Sequence, residues 1–256
     1  MDFGPVPQHH KGNSHLYCMD NMEFMKQIPD KWFGLVADDF PYGINVGGMA
    51  YLKEQKNTVK QKNGTRLNPY SKKRYTKKEW DDKTPTQEYF DEIKRISKHQ
   101  IMFGTDYVNW EGLGSGKIIW DKGQSEGVSF KRYESAYCSF IEDEITIPLL
   151  WAGMMQAKSV LEPMTQQGNK KKNEKRIHPC QKPVMLYHLL LKMFDEEIAK
   201  GNPFRVYDPD AGSANSRLAC FSSHLDIEYY GTEIDPEHYT DSIKRFTEQT
   251  AQLKLF

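Results

Sequence analysis

A chain of 256 residues with 35 Lys+Arg against 35 Asp+Glu and 38% hydrophobic residues has room for one α/β domain with a substantial core, and not for two large ones. The even charge balance argues against a globally basic nucleic-acid binder, so any such contact must come from local clusters. The four cysteines Cys18, Cys138, Cys180 and Cys220 lie far apart without a C-x-x-C pair, which gives no sign of a disulfide framework or a zinc knuckle, and no metal is expected. No apolar run approaches the length that spans a bilayer, and Met1 to Gly12 lacks the basic-then-apolar order of a signal peptide, so a cytoplasmic protein without membrane association is expected.

In chain order, Gly34 to Ala37 is a short apolar run that meets Asp38-Asp39-Phe40-Pro41-Tyr42-Gly43, a buried strand ending in a turn. Thr86 to Lys98 carries Tyr89, Phe90, Ile93 and Ile96 at helical spacing after Thr84-Pro85. Gln100 to Gly104 and Lys117 to Trp120 read as further strands. Pro183 opens an apolar helix through Met185, Leu186, Leu189, Leu190 and Met193-Phe194, closed by Lys200-Gly201-Asn202-Pro203. Phe204 to Tyr207 is a strand, Ala211 to Ser216 a small-residue loop, Arg217 to Ser222 the start of a helix, Ile227 to Gly231 a strand, and Asp235 to Leu253 a terminal helix. Strands alternating with helices predict a mostly parallel sheet with helices on both faces. There is no internal repeat.

Two segments are rich in basic residues. Lys53, Lys56, Lys60, Lys62, Arg66, Lys72, Lys73, Arg74, Lys77 and Lys78 are interleaved with Tyr51, Tyr70 and Tyr75, and Lys170, Lys171, Lys172, Lys175 and Arg176 follow a polar stretch. The first reads as a basic insertion at about 48–85 within a single domain of 1–256, and the second as part of a recognition stretch at about 156–176. Lys72, Lys73, Arg74, Lys170, Lys171 and Lys172 are the candidate phosphate contacts, since each neutralised phosphate releases counterions. Taken alone, such a run is equally well explained as a solvated loop.

Ligands of open α/β sheets bind at the carboxyl ends of strands. Two segments that carry chemistry sit there: Asp39-Phe40-Pro41-Tyr42 and Asp208-Pro209-Asp210-Ala211-Gly212-Ser213-Ala214, the latter followed one strand later by Gly231-Thr232-Glu233-Ile234-Asp235. A strand, a small-residue turn and a helix N-terminus let backbone approach a cofactor closely at Gly212 and Ser213, and an acid after the next strand, Glu233, can hold ribose hydroxyls. A dinucleotide is the rival cofactor, but it calls for a spaced glycine fingerprint near the N-terminus, and none is present.

With His178-Pro179-Cys180-Gln181-Lys182-Pro183 between them, these segments resemble the DNA N6-adenine and N4-cytosine amino-methyltransferases of bacterial or phage type. The match is to the permuted (beta) subgroup, in which an Asp-Pro-Pro-Tyr tetrapeptide precedes an Asp-Pro-Phe-x-Gly-Ser-Gly loop. Tyr17-Cys18-Met19-Asp20, Ile118-Ile119-Trp120-Asp121-Lys122 and Gly231 to Asp235 extend the resemblance over nearly the whole chain. It implies a Rossmann-like S-adenosylmethionine-dependent methyltransferase fold acting on double-stranded DNA, as a monomer or homodimer. Adenine is favoured as the target because the tetrapeptide begins with Asp. An exocyclic amine is a poor nucleophile, its lone pair being delocalised into the ring. Asp39 and the carbonyl of Phe40 would accept its hydrogens, Pro41 would fix the turn, and Tyr42 would stack on the flipped base. The resemblance also places Asp20 at the cofactor's adenine and His178 and Lys182 beside its methionine part, with Asp208, Ala211, Gly212, Ser213 and Glu233 completing the cofactor set.

Four positions depart from the pattern. Phe40 replaces the first proline, Asp38 stands in an apolar strand position, Asp210 replaces an apolar loop residue, and Ala214 replaces the second glycine. A buried, unpaired Asp38 is costly, and Ala214 is strained if its position takes a positive φ. These departures motivate an alternative: a fold that binds DNA with a degenerate cofactor loop. RNA, protein or a small molecule as substrate is a further alternative, since one fold hosts many chemistries. Pro179-Cys180 also admits a nucleophilic thiolate, although such a cysteine is more often a small packed residue.

Overall fold

The computed structural model describes residues 7–44, 83–124, 131–152, 155–169, 173–177, 180–200 and 203–252. The chain divides into two compact units, Met1–Phe40 with Pro85–Phe256, and Pro41–Thr84. The second begins with Pro41 and Tyr42, and only 41–44 and 83–84 of it lie among the described residues. Every element below belongs to the first unit.

The elements run β1 (His9–His10), β2 (Ser14–Tyr17), α1 (Asn21–Met25), β3 (Phe33–Asp38), α2 (Gln87–Ile96), β4 (Ser97–Phe103), β5 (Lys117–Asp121), β6 (Tyr133–Cys138), β7 (Glu144–Pro148), β8 (Trp151–Ala152), β9 (Met155–Gln156), α3 (Val184–Lys192), α4 (Asp195–Ile198), β10 (Phe204–Asp208), α5 (Asn215–Ser222), β11 (Ile227–Thr232) and α6 (Pro236–Gln252). Among the described residues, nine strands form one sheet in the order β1-β2-β11-β10-β3-β4-β6-β5-β7, and β8 with β9 makes a separate hairpin. The neighbours from β2 to β4 pair in parallel, β6 runs antiparallel between β4 and β5, and β7 is parallel to β5. The expected mostly parallel α/β sheet is what the chain forms.

Burial follows position in the sheet. The central β3, β10 and β11 are almost wholly buried, whereas the edge strand β7 alternates exposed and half-buried residues, as a one-sided strand must. Helix α2 buries Tyr89, Phe90, Ile93 and Ile96 on one stripe; covering each of the last three stabilises the fold by roughly 1.5–3 kcal/mol. Helices α3, α5 and α6 form one packed group, and α1 with α2 another.

Gly116 shows how close the backbone runs beneath the sheet. A Cβ there would lie 2.1 Å from the Ile141 carbonyl oxygen and 2.2 Å from that of Cys138, so only glycine fits.

This topology places the site. From β3 the chain crosses through α2 to β4 on one side, while from β10 it crosses through α5 to β11 on the other. β3 and β10 are adjacent and parallel, with Leu35 opposite Val206 and Val36 opposite Tyr207. The strand order therefore reverses between them, and in open α/β sheets the ligand crevice lies at the carboxyl ends of the strands at such a point. Strands β1, β2, β6 and β7 were not expected from the sequence, and α5 starts at Asn215, one half-turn earlier than the expected Arg217.

Candidate functional site

The loop after β10 is built for close backbone approach. Ala211 N–H donates to the Thr232 carbonyl (2.9 Å), and Ala214 N–H to the Ala211 carbonyl (2.6 Å). Gly212 takes φ 49° and Ala214 φ 53°. The Gly212 N–H donates to Glu233 Oε2 (2.9 Å) and the Asp235 N–H to its Oε1 (2.8 Å), so Glu233, 8% exposed, ties the loop to the end of β11. Ser216 Oγ donates to the buried Asp208. Ala214 is fully buried in the left-handed region, where a Cβ costs roughly 1–2 kcal/mol. Against the 0.5–1 kcal/mol or so that glycine loses in entropy, Ala214→Gly is expected to stabilise the protein by about 0.5–1 kcal/mol. Thermal unfolding should show this as a rise of roughly 1–4 °C in Tm.

Two of the four departures meet in space. Tyr89 Oη, from α2, donates to Asp38 Oδ2 (2.8 Å) and lies 3.1 Å from Asp210 Oδ2, while Asn21 Nδ2 reaches both Asp210 oxygens at 3.4 Å. Asp38 is 1% exposed, and its Oδ1 has no hydrogen-bond partner. Burial and then the Asp210 charge hold the Asp38 carboxyl well above its usual range. Burial likewise pushes Asp208 and Asp210 up to about 7 and Glu233 to about 8.

A carboxyl that holds its proton more tightly folded than unfolded contributes stability at low pH, and that contribution is lost as pH climbs from near 4 through the folded value. The free protein is therefore expected to be more stable at pH 6 than at pH 8. Asp210→Asn should remove about 1 kcal/mol of that difference in denaturant titrations at the two pH values.

Lys182 organises the other half of the crevice. Its ammonium, 4% exposed, pairs with Asp39 Oδ1 and with Glu134 Oε1 (2.6 Å), and Glu134 Oε2 pairs with Lys122 (2.8 Å). Lys182 also lies 4.5 Å from the centre of the Phe103 ring. Burial favours the neutral amine, yet Asp39 and Glu134 outweigh it and hold the Lys182 pKa above its ordinary value. Burial acts to raise the Glu134 carboxyl, but Lys182 and Lys122 bring it down to about 2. Asp39, Lys182, Glu134 and Lys122 thus alternate in charge along the ends of β3, β6 and β5.

Of the expected site residues, Asp39, Lys182, Asp208, Ala211, Gly212, Ser213 and Glu233 gather at the carboxyl ends of β3, β10 and β11. Asp20 caps α1, its Oδ1 accepting the Glu23 N–H at 2.9 Å. Phe40 is buried with its ring 5.0 Å from Trp110, and Pro41 and Tyr42 belong to the other unit. His178, Lys72, Lys73, Arg74, Lys170, Lys171 and Lys172 lie outside the described residues. Tyr89 and Glu134 were missed: the first reads in sequence as a core position of α2, and the second sits in a strand that was not anticipated.

No known protein-family signature matches the sequence, and no curated protein matches it. Solved structures do match by shape. One is the PvuII DNA methyltransferase (cytosine-N4-specific), at 13% identity over 96% of this chain and 94% of that one, with a TM-score of 0.52. Another is the M1.HpyAVI–SAM complex, at 16% identity over 90% and 98% of the two chains, with a TM-score of 0.46. At 13% identity what the chain shares with the PvuII enzyme is the fold, a mixed α/β architecture around a mostly parallel sheet.

Proposed function

We propose that the chain is an S-adenosylmethionine-dependent DNA methyltransferase of the permuted subgroup, acting on the exocyclic amino group of a flipped base, with adenine N6 preferred over cytosine N4. The observation that carries this reading is the meeting of Asp39, held by Lys182, with the Asp208–Ala214 loop across the crevice between β3 and β10. The loop's order in the chain, after the tetrapeptide rather than before it, supports the permuted assignment.

The residues fit the cofactor. Asp38, Asp208, Asp210 and Glu233 surround the loop with carboxyl groups whose pKa values burial raises, and Asp38 Oδ1 is a buried polar atom with no hydrogen-bond partner. Carboxyls held near neutrality can ionise against a ligand that carries a sulfonium and an ammonium, and they offer the pyrophosphate of a dinucleotide no positive group. Glu233 is the residue for the ribose, Gly212 and Ser213 for close backbone approach, and Asp20 for the adenine; His178 and Lys182 are the residues for the methionine end. Bound cofactor would supply an electrophilic methyl group.

The rest falls to the chain. Lys182 fixes the Asp39 carboxylate, which accepts a hydrogen bond from the target amine and favours a pyramidal nitrogen whose lone pair is available. The Phe40 carbonyl is the second acceptor, and Tyr42 stacks on the base. The proton that the amine would lose on taking the methyl group would leave through its acceptor, the Asp39 carboxylate, to solvent. Positioning and fixed charge supply the rate, with no covalent enzyme intermediate.

Transfer of labelled methyl to unmethylated mixed-sequence duplex DNA tests the reading. Label on RNA or protein but not on duplex DNA would overturn the choice of substrate. The strained Ala214 favours one second reading, a DNA-binding protein with a weakened cofactor loop; it predicts no transfer by the natural chain and recovery of transfer in Ala214→Gly combined with Asp210→Phe.

DNA contact is assigned to the two basic segments. Replacing Lys72, Lys73 and Arg74 together with Ala is expected to flatten the slope of log K against log salt by about 2–3, since each phosphate contact contributes about 0.9. Fluorescence anisotropy across a salt series reads this directly, and an unchanged slope removes the segment from the interface. Among the described residues no helix is long and apolar enough to cross a membrane.

A further inference from the structure

The stretch 156–176 entered as a recognition segment, yet one of its residues points inward. Glu174 accepts four hydrogen bonds from three separate parts of the chain. Its Oε1 receives Gln181 Nε2 (2.8 Å), Asn215 Nδ2 (2.6 Å) and Arg245 Nη2 (2.7 Å), and its Oε2 receives the backbone N–H of Val184 (3.1 Å), the first residue of α3. Its own backbone is held on both sides by the buried Gln156, whose Oε1 takes the Glu174 N–H (2.8 Å) and whose Nε2 donates to the Glu174 carbonyl (3.1 Å).

The donors lead to both halves of the crevice. Arg245 Nη1 donates to the Ser213 carbonyl in the glycine loop (2.9 Å) and also to Asn215 Oδ1. Asn215 Nδ2 donates to the backbone carbonyl of Lys182, whose ammonium pairs with Asp39. A carboxylate can accept at both oxygens, and here three donors converge on Oε1 while one reaches Oε2. An amide in the same place accepts at one oxygen only and turns an NH2 toward groups that are themselves donors.

We infer that Glu174 is a positioning residue, through which the segment preceding Lys182 sets the glycine loop at Ser213 and the Lys182–Asp39 pair in register with one another. Its carboxylate is engaged by donors of the chain itself, and it acts through them. The inference rests on the methyltransferase reading, because it gives the two halves their roles.

The test compares the parent chain with Glu174→Gln and with Phe194→Leu, a core change at the opposite end of β10, where Phe194 packs against Phe204. S-adenosylmethionine Kd by calorimetry, kcat and KM for methyl transfer, and Tm are read at a temperature well below unfolding. The expected result is at least a tenfold rise in Kd and a tenfold fall in kcat for Glu174→Gln, with Phe194→Leu lowering Tm while its Kd stays within twofold. If Glu174→Gln folds and keeps both constants within twofold, or loses affinity only in step with Phe194→Leu, the positioning role is overturned. Should Glu174→Gln fail to fold, Asn215→Ala must show both losses at smaller size, and unchanged constants there overturn the role as well. A parent chain that gives no heat with S-adenosylmethionine sinks the methyltransferase reading itself, whereas a parent that binds beside an unaffected Glu174→Gln sinks this inference alone.

Discussion

Asp39→Ala is expected to lower methyl transfer by about 10²–10⁴-fold while changing the S-adenosylmethionine Kd by less than threefold. The size follows from the role: removing one fixed acceptor from a site where charge shifts during reaction typically costs about that much in rate. The selectivity follows from the geometry, since Asp39 ends β3 while the glycine loop is held by its own bonds to Thr232, Glu233 and Arg245. Single-turnover transfer to duplex DNA, with calorimetry on the same preparation, measures both. Transfer within tenfold of the parent would remove Asp39 from the catalytic machinery, and an equal loss in cofactor affinity would make it part of the cofactor site instead.

The second large effect is on stability. Lys182 is nearly buried between Asp39 and Glu134, so Lys182→Met keeps the packing of the stem and leaves two carboxylates without their shared cation. Breaking a buried pair from one side costs about 3–5 kcal/mol. Because Lys122 still neutralises part of Glu134, the lower end is expected, with a fall in Tm of roughly 6–12 °C. The pH dependence gives the sharper signature. Glu134 stands at about 2 in the fold, so its contribution is full above the ordinary carboxylate pKa and drains away as pH falls from there to about 2. Without Lys182 the Glu134 carboxyl is no longer held down, so the variant loses less than the parent on acidification, and the gap in Tm between them should narrow as pH falls from 7 to 3. Tm series from pH 3 to 7 would show it, and parallel curves would place the stabilising role elsewhere.

Much of this arrangement was legible in the sequence, and the reasons are local. Phe204 to Asp208 and Ile227 to Thr232 are runs of β-branched and aromatic residues bounded by turns, and α2 and α3 display their apolar stripes openly. The glycine loop and the tetrapeptide are short enough for chemistry to be read from adjacent letters. Strand β2 was not, because Ser14 and His15 sit in it beside Leu16 and Tyr17, and its place in the sheet comes from pairing with β11, more than two hundred positions later. Strand β7 escaped because an edge strand needs only half its residues covered.

The site was legible in its parts but not in its connections. Asp38 looked like a defect by itself and so did Asp210; only the fold puts Tyr89 between them. Glu174 carries no signal at all in a stretch dominated by lysines. No spacing rule links residues 39, 134, 174 and 215, since what brings them together is the crossing of the chain at the reversal of strand order.

That crossing also governs how the protein is made. The interior strands β10 and β11 are made long after the strands that flank them: when β2, β3 and β4 have emerged, the slot between β2 and β3 must wait for residues 204–232 to fill it. Until then the nascent chain carries two unpaired edges of apolar strand, the condition in which chains stick to one another. The pairings that close the slot join residues far apart in sequence, so their formation is slow. Yield of the folded protein should therefore depend on how quickly translation reaches residues 204–232 and on chaperones that shield the open sheet until then.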